Sequence, residues 1–156
     1  MSEPTRMPPV TMRDVNILFR NFEGKEKQYN RAGDRNFSVE LPPNVAAAML
    51  SDGWSVKQLR EREDGEPGTF HLPVAVSYRI RPPRVYLVTS KQKTLLTEDE
   101  VTMLDWVDIA KVDLTLNPSP WEVQGKSGIK AYLMSAYITI IEDELDMEYS
   151  DLPQQR

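Results

Sequence analysis

Apolar and polar residues alternate with a period of two along most of this chain, the signature of half-buried strands. In Asp14–Phe22 (DVNILFRNF), Val15, Ile17 and Phe19 alternate with Asn16, Leu18 and Arg20, which predicts a mostly buried first strand. The polar, glycine-containing stretch Glu23–Asp34 reads as a loop. From Arg35 the pattern is clean: Phe37, Val39 and Leu41 share one face, and Asn36, Ser38 and Glu40 the other. Pro42-Pro43 ends that strand, and Asn44 is placed to cap a short helix, VAAAMLSD, that Gly53 terminates. Trp54–Glu63 reads as a further strand, followed by a turn at DGEPG. His71–Ile80 reads as a long strand, with Val74, Val76, Tyr78 and Ile80 on one face.

Pro82-Pro83 predicts a corner, and Arg84–Ser90 a buried strand. Thr97-Glu98-Asp99-Glu100 is a capping box, opening a helix that turns Val101, Leu104 and Trp106 inward. Val112, Leu114 and Leu116 alternate with polar neighbours in a half-buried strand that Asn117-Pro118-Ser119-Pro120 closes. Trp121–Gln124 and Ile129–Ile141 then flank a loop, GKSG, as a hairpin. The count is about seven strands and two short helices, with turn signals at the spacing of a sandwich or barrel. Long helices do not alternate with strands, which argues against a doubly wound sheet. The expected fold is therefore mainly β with two short helices, an OB-like Greek-key β-barrel with elaborated loops.

Composition adds three constraints. With 156 residues, 40% hydrophobic and 28% charged, the chain suits one globular domain with a real core. We expect a flexible lead over residues 1–10, one domain over 11–141 and an acidic tail over 142–156. No run approaches the roughly 18 apolar residues of a membrane span, and MSEPTRMPPV lacks the apolar region of a secretory signal. A cytoplasmic setting, without membrane association, is the expectation. The net charge of -5 divides unevenly: residues 1–93 balance at +4 and residues 94–156 at -9. That polarity suggests a basic working surface with an acidic tail, although solvated surface charge explains the totals equally well.

Several chemistries find no footing. Without cysteine there can be no disulfide, thiolate metal site or cysteine nucleophile. The single histidine, His71, sits within a strand pattern and has no partners for zinc or triad chemistry. Gly125-Lys126-Ser127 imitates the end of a P-loop, but that motif needs a glycine where Pro120 stands. Glu98, Asp99 and Glu100 are accounted for by helix capping, and Asp105, Asp108 and Asp113 are scattered. No cofactor, metal or catalytic residue is implied.

What the chain does supply is interleaved aromatic and basic residues. Single-stranded nucleic acid is held by cations along its phosphates and by aromatic faces that accept bases. Arg20, Phe22, Lys25, Lys27, Tyr29, Arg31, Arg35 and Phe37 alternate the two types; so do Trp54, Lys57 and Arg60, then Arg79, Arg81, Arg84 and Tyr86, then Trp121, Lys126, Lys130 and Tyr132. Parity sorts them. Phe37 belongs with Val39 and Leu41 in a core, and Trp54 shares parity with Val56. Tyr29 sits in a polar loop without apolar partners, which suits stacking, and Trp121 enters a strand where rim and core are equally open. The candidate set is Tyr29, Trp121 and Trp54 for bases, with Arg31, Arg35, Lys57, Arg79, Lys126 and Lys130 for phosphates.

The ordered series Asn21–Gly24 (NFEG), Tyr29-Asn30, Gly33–Phe37 (GDRNF), Asp52–Lys57 (DGWSVK), Pro73–Tyr78 (PVAVSY) and Val112–Leu133 resembles bacteriophage single-stranded-DNA-binding proteins with an OB-like fold. It spans nearly the whole chain. The resemblance implies non-catalytic, largely sequence-independent binding of single-stranded DNA in phage replication or recombination, through a groove of aromatic and basic residues. It also implies an acidic C-terminus that could meet replication or recombination proteins. The ending DLPQQR, however, departs from the acidic tip closed by Pro-Phe in bacterial single-strand binders. Ile141, Leu145, Tyr149 and Leu152 alternatively space a short amphipathic helix there. Self-association stays open. Two other classes compete: an acidic DNA-mimic inhibitor of a host enzyme, motivated by the -9 half, and a metal-dependent nuclease built from scattered carboxylates.

Overall fold

The computed structural model describes residues 7–60, 65, 67–79 and 81–142. Among these residues nine strands form one mixed sheet: β1 (Val10–Met12), β2 (Ile17–Asn21), β3 (Arg35–Leu41), β4 (Lys57–Gln58), β5 (Phe70–Val76), β6 (Arg84–Val88), β7 (Lys93–Leu96), β8 (Ile109–Val123) and β9 (Lys126–Ile140). One helix, α1 (Pro43–Asp52), follows β3, and a 3₁₀ turn (Glu100–Asp105) precedes β8. The main strand order is β1-β8-β9-β5-β3-β2, with β4 added to β5 and the β6–β7 hairpin to β9. Ladder pairing does not close the sheet among the described residues, but the segment leading into β2 reaches back to β8: the Val15 N–H donates to the Val112 carbonyl at 3.0 Å. This is the partly open, OB-like mainly-β fold that the alternation predicts.

The core lies inside the curl. Phe37, Val39 and Leu41 from β3 meet Leu72, Val74 and Val76 from β5, Val112, Leu114 and Leu116 from β8, and Ala131, Leu133, Ala136 and Ile138 from β9. Phe22 and Phe37 stack at 5.2 Å between centroids. Alternation read from sequence therefore sorts most of these side chains correctly, because the side-chain period of a strand is a local property.

Where the structure departs from the pattern, the causes are identifiable. Phe19 is exposed rather than buried. The β2–β3 register shifts between Leu18 and Asn21, and Phe19 takes a left-handed φ of 54°, which turns its ring outward onto His71. Asn44 does not cap α1; Pro42 holds the cap position with extended backbone and Pro43 opens the helix, where a missing N–H costs nothing. Gly53 does end it, in the left-handed conformation at φ 99°. The strand expected over Trp54–Glu63 reduces to Lys57–Gln58, and β7 has no counterpart in the pattern reading. The capping box forms, with Thr97 N–H donating to Glu100 and Glu100 N–H to Thr97, but it opens a 3₁₀ turn that leaves Trp106 exposed.

Asn117-Pro118-Ser119-Pro120 does not close a strand; β8 runs straight through it to Val123. Pro118 and Pro120 are two residues apart, so both lack the N–H on the same edge, facing away from β9. The hairpin turn is Gln124-Gly125 rather than GKSG, both with positive φ (50° and 78°), as a two-residue primed turn requires. Ile80, Asp64 and Glu66 of DGEPG, and the proposed tail helix beyond Glu142 lie outside the described residues.

Candidate nucleic-acid interface

Four neighbouring strands build the floor of one open groove. Across them run Trp121 on β8, Lys130 and Tyr132 on β9, Pro73 and Ala75 on β5, and Asn36 on β3. Ala75 is the register partner of both Tyr132 and Asn36, and its small side chain leaves a trough between them. Three inter-strand gaps of about 4.8 Å make that floor roughly 14 Å wide. Lys57 of β4, the Tyr78-Arg79 segment after β5, and the loop between β2 and β3 form the walls, enclosing about 860 Å³.

That loop is braced rather than slack. Lys27 and Asn30 exchange backbone hydrogen bonds (2.9 and 3.0 Å), which folds Gln28-Tyr29 into a tight tip. The Asn30 amide donates to the carbonyls of Lys25, Arg31 and Asp34, while Asn36 donates to the Asn30 side-chain oxygen at 2.7 Å. Gly24 packs so closely on Gly33 that a β-carbon would sit 3.0 Å from the Gly33 carbonyl carbon. At the base of the loop, both Asp105 oxygens accept backbone N–H groups, from Phe22 and Glu23. The bracing holds Tyr29 at 93% exposure on the groove wall, its ring presented to solvent.

Trp121 is placed by glycine. It faces Gly128 across the β8–β9 ladder, and a β-carbon there would come within 2.9 Å of the indole. The ring rests on bare backbone, 40% exposed. Lys130 holds its ammonium 5.1 Å from the Tyr132 ring centroid, a cation and an aromatic face side by side.

Seven of the nine candidates from sequence thus meet in one groove: Tyr29, Arg31, Arg35, Lys57, Arg79, Trp121 and Lys130. Two do not. Trp54 is a core residue, 5% exposed, and offers no ring face to the groove. Its backbone bridges to Ile129 and turns the indole inward, as its parity with Val56 allowed. Lys126 sits next to the hairpin turn and is not among the lining residues.

Arg35 lines the groove but is already engaged. Its side chain is 15% exposed, with Nη1 donating to the Phe22 carbonyl at 2.6 Å and Nη2 3.7 Å from Glu98. Beside it the buried Tyr78 hydroxyl has no hydrogen-bond partner among the described residues, and burial pushes its pKa up to about 12, with Arg35 opposing the rise and Glu98 adding to it. Tyr132 was part of the aromatic–basic pattern without being singled out. Its shared parity with Lys130 on β9 was the available signal. The bracing role of Asn30 and Asn36 left no mark in sequence. Among the described residues, no three His, Cys, Asp or Glu side chains converge as a metal site, and no helix is long and apolar enough to cross a membrane.

The fold and groove define an OB-like protein with an aromatic and cationic trough across its sheet. A family model of the phage ssDNA-binding domain matches residues 1–156, and the chain belongs to that family. Among solved structures, the fold is similar to the single-stranded DNA-binding protein from bacteriophage Enc34. The form in complex with ssDNA is 11% identical, with a TM-score of 0.56 over 86% of this chain and 88% of that one. Another structure of that protein is 13% identical, with a TM-score of 0.54 over 92% and 88%. The single-stranded DNA-binding protein gp2.5 of bacteriophage T7 aligns over 96% of each chain at 12% identity, with a TM-score of 0.42. No curated protein sequence matches the chain significantly.

Proposed function

We propose that the groove binds single-stranded DNA with little sequence preference and no catalysis, in phage DNA replication or recombination. Bases stack on Tyr29, Trp121 and Tyr132, and phosphates meet Arg31, Lys57, Arg79 and Lys130. One observation carries this reading. Residues up to about a hundred positions apart in sequence, chosen for stacking or charge, line a single trough across four strands. Stacking is indifferent to base identity because every base has a π-face. Nine of the nineteen lining residues are rings or cations, and Asn30 and Asn36 spend their amides bracing the loop. Arg35 acts differently, anchoring the loop that carries Tyr29.

In this reading residues 11–141 are the binding unit, working in the host cytoplasm. Residues 142–156 form an acidic appendage available to replication or recombination proteins. The test is titration of oligo(dT) against tryptophan fluorescence at several salt concentrations. Quenching that is lost in Trp121→Phe, together with affinity falling steeply with salt, supports the reading. Salt-independent binding or none would overturn it.

A further inference from the structure

A second aromatic–cationic cluster lies beyond the groove on the same face of β9. In β9, Ile129, Ala131 and Leu133 point to the core, so Lys130 and Tyr132 point out. An irregularity opposite Thr115/Leu116 then inserts Met134 as an extra residue, and the alternation resumes with Ala136 and Ile138 buried. Tyr137 consequently faces outward, as Tyr132 does, and is 40% exposed. Its partner in the parallel β6–β9 ladder is Tyr86, and the two rings stack at 4.9 Å with planes 12° apart. The Lys93 ammonium of β7 lies 4.8 Å from the Tyr86 centroid and 5.6 Å from that of Tyr137.

The interval between groove and cluster is basic. Exposed Arg81 and Arg84 border a depression with Met134 and Asn117. Asn117 is the ladder partner of Tyr132 in the groove, and Arg84 is the partner of Ser135, two residues before Tyr137. The carboxylate closest in register to Tyr137 is Asp113, and it is occupied. It accepts the Asp14 N–H at 2.8 Å, which holds its pKa below the usual range, and pairs with Lys111. A phosphate passing along β9 therefore meets cations on one side and an already compensated acid on the other.

We propose that single-stranded DNA leaving the groove continues along the outward face of β9 and stacks a base at the Tyr86–Tyr137 pair, with phosphates at Arg84 and Lys93. The proposal rests on the groove reading and adds a second subsite to it. From Gly128 to Tyr137 the strand rises about 30 Å, a span within the range of OB-fold site sizes, about 4–16 nucleotides. A purely structural pair would serve only to join β6 to β9.

Tyr137→Leu, which keeps apolar contact with Tyr86, and Lys93→Gln separate the two roles. Each is titrated in the full-length protein with oligo(dT) of about 4 and about 16 nucleotides. The expected result is at least about a fivefold loss of affinity for the long oligonucleotide in Tyr137→Leu. Affinity for the short one, and the Tm, stay at wild-type values. For Lys93→Gln the salt slope on the long oligonucleotide falls by about 0.7. Wild-type affinity of both variants for the long oligonucleotide would overturn the subsite and leave the groove standing. A loss at both lengths that tracks a fall in Tm would make the pair structural. Failure of the wild-type protein to bind either length would overturn the groove reading and the subsite together.

Discussion

The Trp121 indole rests on Gly128, the residue directly opposite it in the β8–β9 hairpin. A methyl group at Gly128 would stand 2.9 Å from the ring and force it to shift. Gly128→Ala should therefore displace Trp121 and weaken oligo(dT) binding several-fold, while both residues, at the rim, leave Tm nearly unchanged. Fluorescence titration and a thermal melt check this. Undiminished quenching in Gly128→Ala would show that ring placement does not matter.

Tyr29 and Phe37, the aromatics at either end of the braced loop, should separate binding from folding. Tyr29 is almost fully exposed, so Tyr29→Ala should cost roughly 1–3 kcal/mol of binding and leave stability within about 0.5 kcal/mol. Phe37 is buried against Phe22, and Phe37→Ala should cost about 3–5 kcal/mol of folding stability. Denaturant melts beside binding isotherms test the pair; equal stability losses would break the distinction.

Among the groove cations, Arg35 should behave unlike Lys130. Lys130→Ala should reduce the slope of log affinity against log salt by about 0.7, as one phosphate contact is lost. Arg35→Ala removes the bond to the Phe22 carbonyl and the ion pair with Glu98, so its first effect should be a lower Tm. A slope change without a Tm change in Arg35→Ala would instead make it a phosphate ligand.

His71 predicts a pH dependence. It is buried next to Phe19, with Nδ1 2.9 Å from the Ser38 hydroxyl; burial, then the Lys57 charge, lowers its pKa below 6.5. The unfolded chain thus takes up a proton more readily than the folded one. The stability this contributes is complete above about pH 6.5 and is lost as pH falls through the folded-state value. Asp113 and Glu100, also lowered, act only nearer pH 4 and below. Tm should rise as pH climbs from below the folded-state value towards about 6.5, and His71→Gln should flatten that rise. The same slope in the variant would assign it to other groups.

Much of this was legible along the chain, and the misses share a cause. Phe37, Val39 and Leu41 could be assigned to the core because alternation is a property of neighbours in sequence. Trp121 could not be sorted the same way, since it stands at a strand entrance where parity leaves both orientations open, whereas the parity of Trp54 with Val56 already pointed to the core. Phe19 defeated the pattern through a register shift that only its pairing with β3 creates. Pro118 and Pro120 marked an end when read alone, yet fit inside β8 because its outer edge needs no donors there.

The sequence by itself determined a mainly-β chain, the content of its core, and an inventory of rings and cations suited to single-stranded nucleic acid. It also carried the family. Only the tertiary structure decided which of those residues share a surface. The pairing of β9 with β5 and β8 brings Tyr132 and Lys130 beside Ala75 and Trp121, and three asparagines (21, 30 and 36) brace the loop that raises Tyr29 above them. Periodicity reports which face a side chain takes within its own strand. Inter-strand register, a contact between distant segments, sets which faces become one groove.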